Sequence, residues 1–263
     1  MSGENMNISM VPEGSTLAAE GAVTKEMPVD DIVSELVEQK NTIGANSRIV
    51  VIDENGLLLK HPDAKEGNDF IFYRLADRKN NPIHLNPCKI PVGVAPDEWI
   101  HGLTEAYVRT YGLLERGKRL VSGLFYRLYK QAGVLDEKGH AKETLRPEEL
   151  SRLSEKVTFH KMYQEAEKIC NSFVHIGGEE DDNEKAYEKL LSMLSCYNAE
   201  QSIEYGLFSM ENDFNGKERY GTGCSIADML QEKAAFVFDL SGLDAEAKRF
   251  ANEFINFSLL NMQ

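Results

Sequence analysis

The stretch Arg48-Ile49-Val50-Val51-Ile52-Asp53-Glu54-Asn55-Gly56 carries four consecutive β-branched residues and closes on two acids and an Asn-Gly turn. A continuous apolar run of that length, without polar alternation, is the pattern of a central parallel strand buried on both faces. Working outward, Phe70 to Leu75 forms a second short strand-like run, followed by Pro-containing turns as far as Asn86-Pro87-Cys88-Lys89-Ile90-Pro91. Far downstream, Ala234-Ala-Phe-Val-Phe-Asp-Leu240 repeats the buried-strand pattern. The amphipathic stretch after it runs from Ser241 to Leu260 and predicts a long helix with Ala247, Phe250, Ala251, Phe254, Ile255 and Ser258 inward.

Between these strands the sequence reads as helical. Asp97 to Tyr111 places Ile100, Leu103, Tyr107 and Val108 on one face, and Gly112 stops it. A second helix covers about 116–132, with Leu120, Leu124 and Leu128 in one row and Val121, Phe125 and Tyr129 beside it. Shorter helices are expected at 147–153, 156–172 and 184–197, and Ser225 with Asp228 resembles a capping box opening Ser225-Ile-Ala-Asp-Met-Leu230. The acidic run 179–185 reads as a solvated loop entering a helix N-terminus. Upstream, residues 1–28 are polar and lack periodicity, which gives a tail or lead-in. Asp30 and Asp31 are placed to cap a first helix carrying Ile32, Leu36 and Val37. The expected organisation is therefore an α/β domain over 29–263 with a helical insertion at about 96–225.

Composition narrows the classes of function. The chain has 263 residues, 42% of them hydrophobic and 27% charged, and a net charge of −14. That balance opposes broad wrapping of nucleic acid, which needs many Lys and Arg contacts to phosphate. The four cysteines, Cys88, Cys170, Cys196 and Cys224, show no CxxC spacing, so reduced thiols in a cytoplasmic protein are expected. No apolar run reaches membrane-spanning length, and the first residues lack the basic and apolar regions of a signal peptide.

Two strands end in an acid, Asp53 and Asp239. Ligands of open parallel sheets bind outside the carboxyl ends of the strands, so these two residues are the candidate cofactor-binding positions. The competing reading is that each Asp caps the turn that follows it. A phosphate-binding loop would need G-x-x-x-x-G-K-[ST] between a strand and a helix. The near miss Gly112-Leu-Leu-Glu-Arg-Gly117-Lys118 has the spacing, but Arg119 stands where the Mg²⁺-binding hydroxyl belongs and a helix precedes it, so a helix-to-helix turn is expected there. Residues 14–26 contain glycines but no Gly-Lys-Ser/Thr. The six histidines are scattered, and His101 and His160 have no Cys or Ser partner at a catalytic spacing. No G-x-S-x-G elbow is present.

Several segments together resemble the HerA–FtsK group of hexameric DNA-pumping ATPases, and HerA-like proteins in particular. Ile49 to Gly56 is similar to a core strand of that group. Residues 84–113 resemble its Asn-Pro segment and following helix, 115–133 its next helix, and 223–255 the stretch before its acidic catalytic strand. The likeness runs with gaps from about residue 30 onward. It implies a partial RecA-like parallel sheet with a large helical insertion. It also implies use of ATP and Mg²⁺, assembly as a homo-oligomer or beside an intact ATPase subunit, and contact with DNA only inside such a complex. The departures are specific. The intact phosphate-binding loop that the group carries before the Asp53 strand has no counterpart, and neither has the apolar strand ending in Asp-Glu after the last helix. No catalytic residue transfers to this sequence; only Asp53 and Asp239 match positions near the expected site.

Two readings follow. The chain is either a truncated or degenerate HerA-like ATPase module, without ATPase activity alone, or a non-enzymatic scaffold on an ATPase-like fold. A metal-dependent hydrolase built on Asp53, Asp239 and a histidine is a weaker third.

Overall fold

The computed structural model describes residues 7–12, 34, 47–61, 70–77, 84–173, 182–199, 207–208, 224–230 and 235–261. The helix expected at Asp30 to Val37 lies, Ser34 apart, outside the described residues, as do the glycine-containing stretch 14–26 and residues 179–181 of the acidic run. The chain divides into two compact units, Met1–Ile83 with Ile226–Gln263, and His84–Ser225. The second begins at His84, ahead of the expected start of the insertion near residue 96.

The first unit holds the sheet. Its strands are β1 (Asn7–Pro12), β2 (Ser47–Asp53), β3 (Phe70–Arg74) and β4 (Ala235–Asp239), in the order β1-β2-β4-β3. The pairs β2–β4 and β4–β3 are parallel, and β1 is antiparallel to β2. The sequence reading placed residues 7–12 in an aperiodic polar lead-in. The structure instead gives that segment an edge strand in register with β2, from Asn7 opposite Ile52 to Pro12 opposite Ser47. An edge position at the end of a strand tolerates Pro12, which has no amide hydrogen to give to a ladder.

The continuous apolar runs are buried on both faces, as their composition predicts. Val50, Val51 and Ile52 of β2 and Phe236, Val237 and Phe238 of β4 are all buried. Tyr73 of β3 lies parallel to Phe236 at 6.2 Å between ring centroids, and its hydroxyl donates to the Met229 carbonyl (3.1 Å) on the short helix Ile226–Met229. After β4, Asp244 caps the helix Ala245–Leu260, its carboxylate accepting from the amides of Glu246 and Ala247. That helix buries the residues its periodicity predicts, from Ala247 to Ser258, and Leu259 as well.

The second unit is helical. Its first four helices are α1 (Pro96–Tyr111), α2 (Glu115–Ala132), α3 (Pro147–Ser154) and α4 (Phe159–Cys170). A fifth, α5 (Asp182–Leu194), follows in the same unit, so Ile226–Met229 and Ala245–Leu260 of the first unit are α6 and α7. α1 starts on Pro96, carries Asp97 and Glu98 in its first turn, and stops at Gly112, whose left-handed φ of 61° lets its amide bond the Val108 carbonyl. The core of this unit is aromatic: Phe159 stacks on Tyr197 at 4.6 Å and on Tyr107 at 5.8 Å, with Phe125 edge-on at 6.0 Å.

Candidate functional site

The carboxyl end of the parallel strands brings the two expected residues together. Asp53 and Asp239 are register partners on neighbouring strands, and Arg74 holds the matching position on β3. Partners in a parallel ladder share a face of the sheet, so the sequence placed both acids correctly at one edge. What their carboxylates bond to there is a separate matter.

Asp53 is buried, and both its carboxylate oxygens are engaged by the chain that follows. Oδ1 accepts from the amides of Asn55 (3.2 Å) and Leu57 (3.1 Å), and Oδ2 from Leu58 (2.9 Å). Asp239 is buried too, and its Oδ1 accepts from the Ser241 amide (2.9 Å). An aspartate that bonds backbone amides a few residues on mimics a turn of the main chain. Both acids thus perform the turn-capping role that was the alternative reading of each.

The edge backbone is also bonded inward. The Leu240 amide donates to the Asp53 carbonyl (2.9 Å), and the Leu75 amide to the Asp239 carbonyl (3.1 Å), which extends the ladders beyond the strands. The turns then approach closely through glycine. Gly56, at φ 67°, is buried, and a methyl group there would sit 2.8 Å from Ser241 Oγ. At Gly242 it would sit 2.5 Å from Ala76 Cβ.

One further acid belongs to this edge. Glu54 Oε1 accepts a hydrogen bond from Asn252 Nδ2 (2.6 Å) on α7, and Asn252 Oδ1 accepts in turn from Asn256 Nδ2 (2.7 Å). The sequence reading missed this relay because it followed the apolar stripe of α7. The available signal was the pair of asparagines four residues apart on the polar side of that helix.

The family resemblance implies Mg²⁺–ATP at this edge. A metal would have to compete with three backbone amides for Asp53, and with the Ser241 amide for one oxygen of the buried Asp239. Among the described residues, no group of three or more His, Cys, Asp or Glu is arranged to hold a metal ion. The donor set does not fit the group.

The near-miss motif is accounted for elsewhere. Gly112 is the C-cap of α1, and Lys118 lies in the first turn of α2, paired with Glu105. Lys118 holds the Glu105 carboxyl below its usual value of 4.5, first through their hydrogen bond and then through charge. His160 contacts Gln164 one turn along α4, at 2.8 Å.

The Asn-Pro segment is a buried strap inside the helical unit. Asn86 Nδ2 donates to the carbonyls of Glu155 (3.2 Å) and Val157 (3.0 Å), and its Oδ1 accepts from the Cys88 amide (3.0 Å). Trp99 Nε1 donates to the Pro87 carbonyl (3.0 Å), and the Tyr129 hydroxyl to the Cys88 carbonyl (2.5 Å). The Ile90 amide donates to Ser154 Oγ (2.8 Å). Burial pushes the Cys88 thiol and the Tyr129 phenol far up, so both stay protonated.

No family model matches the chain, and no curated protein matches it. Among solved structures, it is similar to VirB4 of Thermoanaerobacter pseudethanolicus, with a TM-score of 0.52 and 16% identity. The match covers 89% of this chain and 75% of that one. The fold is a partial RecA-like ATPase fold. At that identity the likeness establishes the fold alone. Among the described residues, no helix is long and apolar enough to cross a membrane.

Proposed function

We propose that the chain is a degenerate HerA-like ATPase module, associated with DNA translocation or processing, that does not hydrolyse ATP by itself. The observation that carries this reading is the pair Asp53 and Asp239. The carboxyl edge of the strands is where the resemblance puts the nucleotide, and there both acids are bonded to their own turns. The sequence adds that no G-x-x-x-x-G-K-[ST] is present. ATP and Mg²⁺ belong to this reading through the resemblance, and DNA enters it only through an assembled complex. An intact ATPase subunit is the partner that would supply the missing chemistry, and a homo-oligomer is the other assembly that the resemblance implies. Steady-state phosphate release by the purified chain tests it. The expected rate equals that of buffer, and turnover that disappears in Asp53→Ala overturns it.

A second reading, a non-enzymatic scaffold on an ATPase-like fold, is favoured by the bonding of the Asn86 strap, which stiffens the helical unit without exposing any chemistry. Size-exclusion chromatography with a candidate partner separates the two. A stable complex that forms equally with and without ATP supports the scaffold. A complex that requires ATP supports the module.

A further inference from the structure

We infer that Asp53 and Asp239 are turn-holding residues that close the carboxyl edge of the parallel sheet, and that neither contacts Mg²⁺ or a nucleotide phosphate. The inference rests on the ATPase-module reading only for the choice of Mg²⁺–ATP as probe. It goes beyond that reading by giving the two strand-end acids a structural role in this chain.

Three features meet at this edge. The carboxylates are the first. Asp53 is 1% exposed and accepts three backbone amides, and Asp239 is 7% exposed and accepts one. An Asp53 carboxylate that left these partners for a metal would strand the buried Leu58 N–H, and an unsatisfied buried donor is costly. The backbone is the second. An anion at the end of a parallel sheet is held by amide N–H groups that point outward from the loops. Here the amides of Asn55, Leu57, Leu58, Leu75, Asp77, Leu240 and Ser241 are each bonded within the unit. Steric closure is the third. The turn after β2 meets the turn after β4 at Gly56 and Ser241, and the turn after β4 meets the one after β3 at Gly242 and Ala76. Glycine is required at Gly56 twice over, by its positive φ and by the 2.8 Å approach that a methyl group would make to Ser241 Oγ. Three successive strand ends are thus joined by their own turns over the two acids.

The amide and carboxylate variants separate a structural role from a ligand role. Asp239→Asn keeps an oxygen for the Ser241 amide and removes the charge that a metal would need. Asp53→Asn keeps one acceptor oxygen but opposes its NH₂ to a neighbouring amide. Asp53→Ala removes all three bonds. Thermal unfolding of the full chain without nucleotide is expected to show a midpoint fall of roughly 3–8 °C for Asp53→Ala and a smaller fall for Asp53→Asn. For Asp239→Asn the change is expected to stay within about 2 °C. If Asp53→Ala does not fold, Asp53→Asn carries the comparison. Calorimetric titration of wild type with Mg²⁺–ATP is expected to show either no binding or binding that both amide variants retain within about threefold; each outcome supports the inference. A tenfold or greater loss of Mg²⁺–ATP affinity in Asp239→Asn overturns it, and so does an unchanged apo midpoint in Asp53→Ala. ATP turnover that survives in both amide variants would sink the non-hydrolysing reading and leave this inference standing.

Discussion

Asn252 on α7 donates to Glu54 across 2.6 Å, which ties a helix that follows β4 to the turn that follows β2. Asn256 backs Asn252 from one turn further along, so the amide is held in a single orientation. Because the acceptor is a carboxylate and the site is half-buried, loss of the bond in Asn252→Ala is expected to destabilise the fold by about 1.5–3 kcal/mol. Asn256→Ala should cost less, about 0.5–1.5 kcal/mol, since it removes only the support. Urea unfolding of the single variants and of Asn252→Ala/Glu54→Ala measures the coupling. A double variant whose loss equals the sum of the singles would show that the two side chains do not interact.

The approach of Gly242 to Ala76 makes a reciprocal prediction. Gly242→Ala sets two methyl carbons 2.5 Å apart, far inside van der Waals contact, and is expected to destabilise by about 1–3 kcal/mol. In an Ala76→Gly background the same change meets only backbone, at 3.9 Å, and should cost little. Thermal melts of the four proteins check this. Equal penalties in both backgrounds would count against the contact.

Asn86 gives the Asn-Pro segment a structural role. Its amide donates to two carbonyls and its oxygen accepts one amide, all within the helical unit. Asn86→Ala leaves these groups unsatisfied, and a loss of about 2–4 kcal/mol is expected. Asn86→Asp retains only the acceptor and should fall between wild type and Asn86→Ala at neutral pH. Denaturant midpoints of the three proteins give the order.

The Glu105–Lys118 pair predicts an acid-side effect. The Glu105 carboxyl in the folded chain titrates below its usual 4.5, so the folded state favours the ionised form. The resulting stabilisation is present above about 4.5 and is lost as pH falls through the lower, folded-state value. Glu105→Gln should therefore reduce stability at pH 7 and flatten its decline on acidification. Unfolding midpoints from pH 7 to pH 3 test this, and parallel curves for wild type and variant would contradict it.

Much of the architecture was legible because it rests on local patterns. The runs at Ile49 to Ile52 and Phe236 to Phe238 announce buried strands by being apolar throughout. α1 and α7 announce themselves by their stripes, and Gly112 marks the end of α1 through its left-handed φ. The adjacency of β2 and β4 was not legible, since the whole helical unit separates them in sequence. Nor was β1, a six-residue edge strand whose pairing partner lies more than thirty residues on. At the candidate site, the positions of Asp53 and Asp239 at strand ends were legible, but what their carboxylates bond to depended on where the following amides turn. The closeness of Gly56 to Ser241 and of Asn252 to Glu54 arises only when distant segments meet in the fold.

The most direct test is a single-turnover assay, with purified chain in excess over labelled ATP and Mg²⁺ present, in wild type and Asp53→Ala. The account predicts no cleavage above the buffer control in either protein. Cleavage by wild type that is abolished in Asp53→Ala, with the variant still folded by circular dichroism, would contradict it.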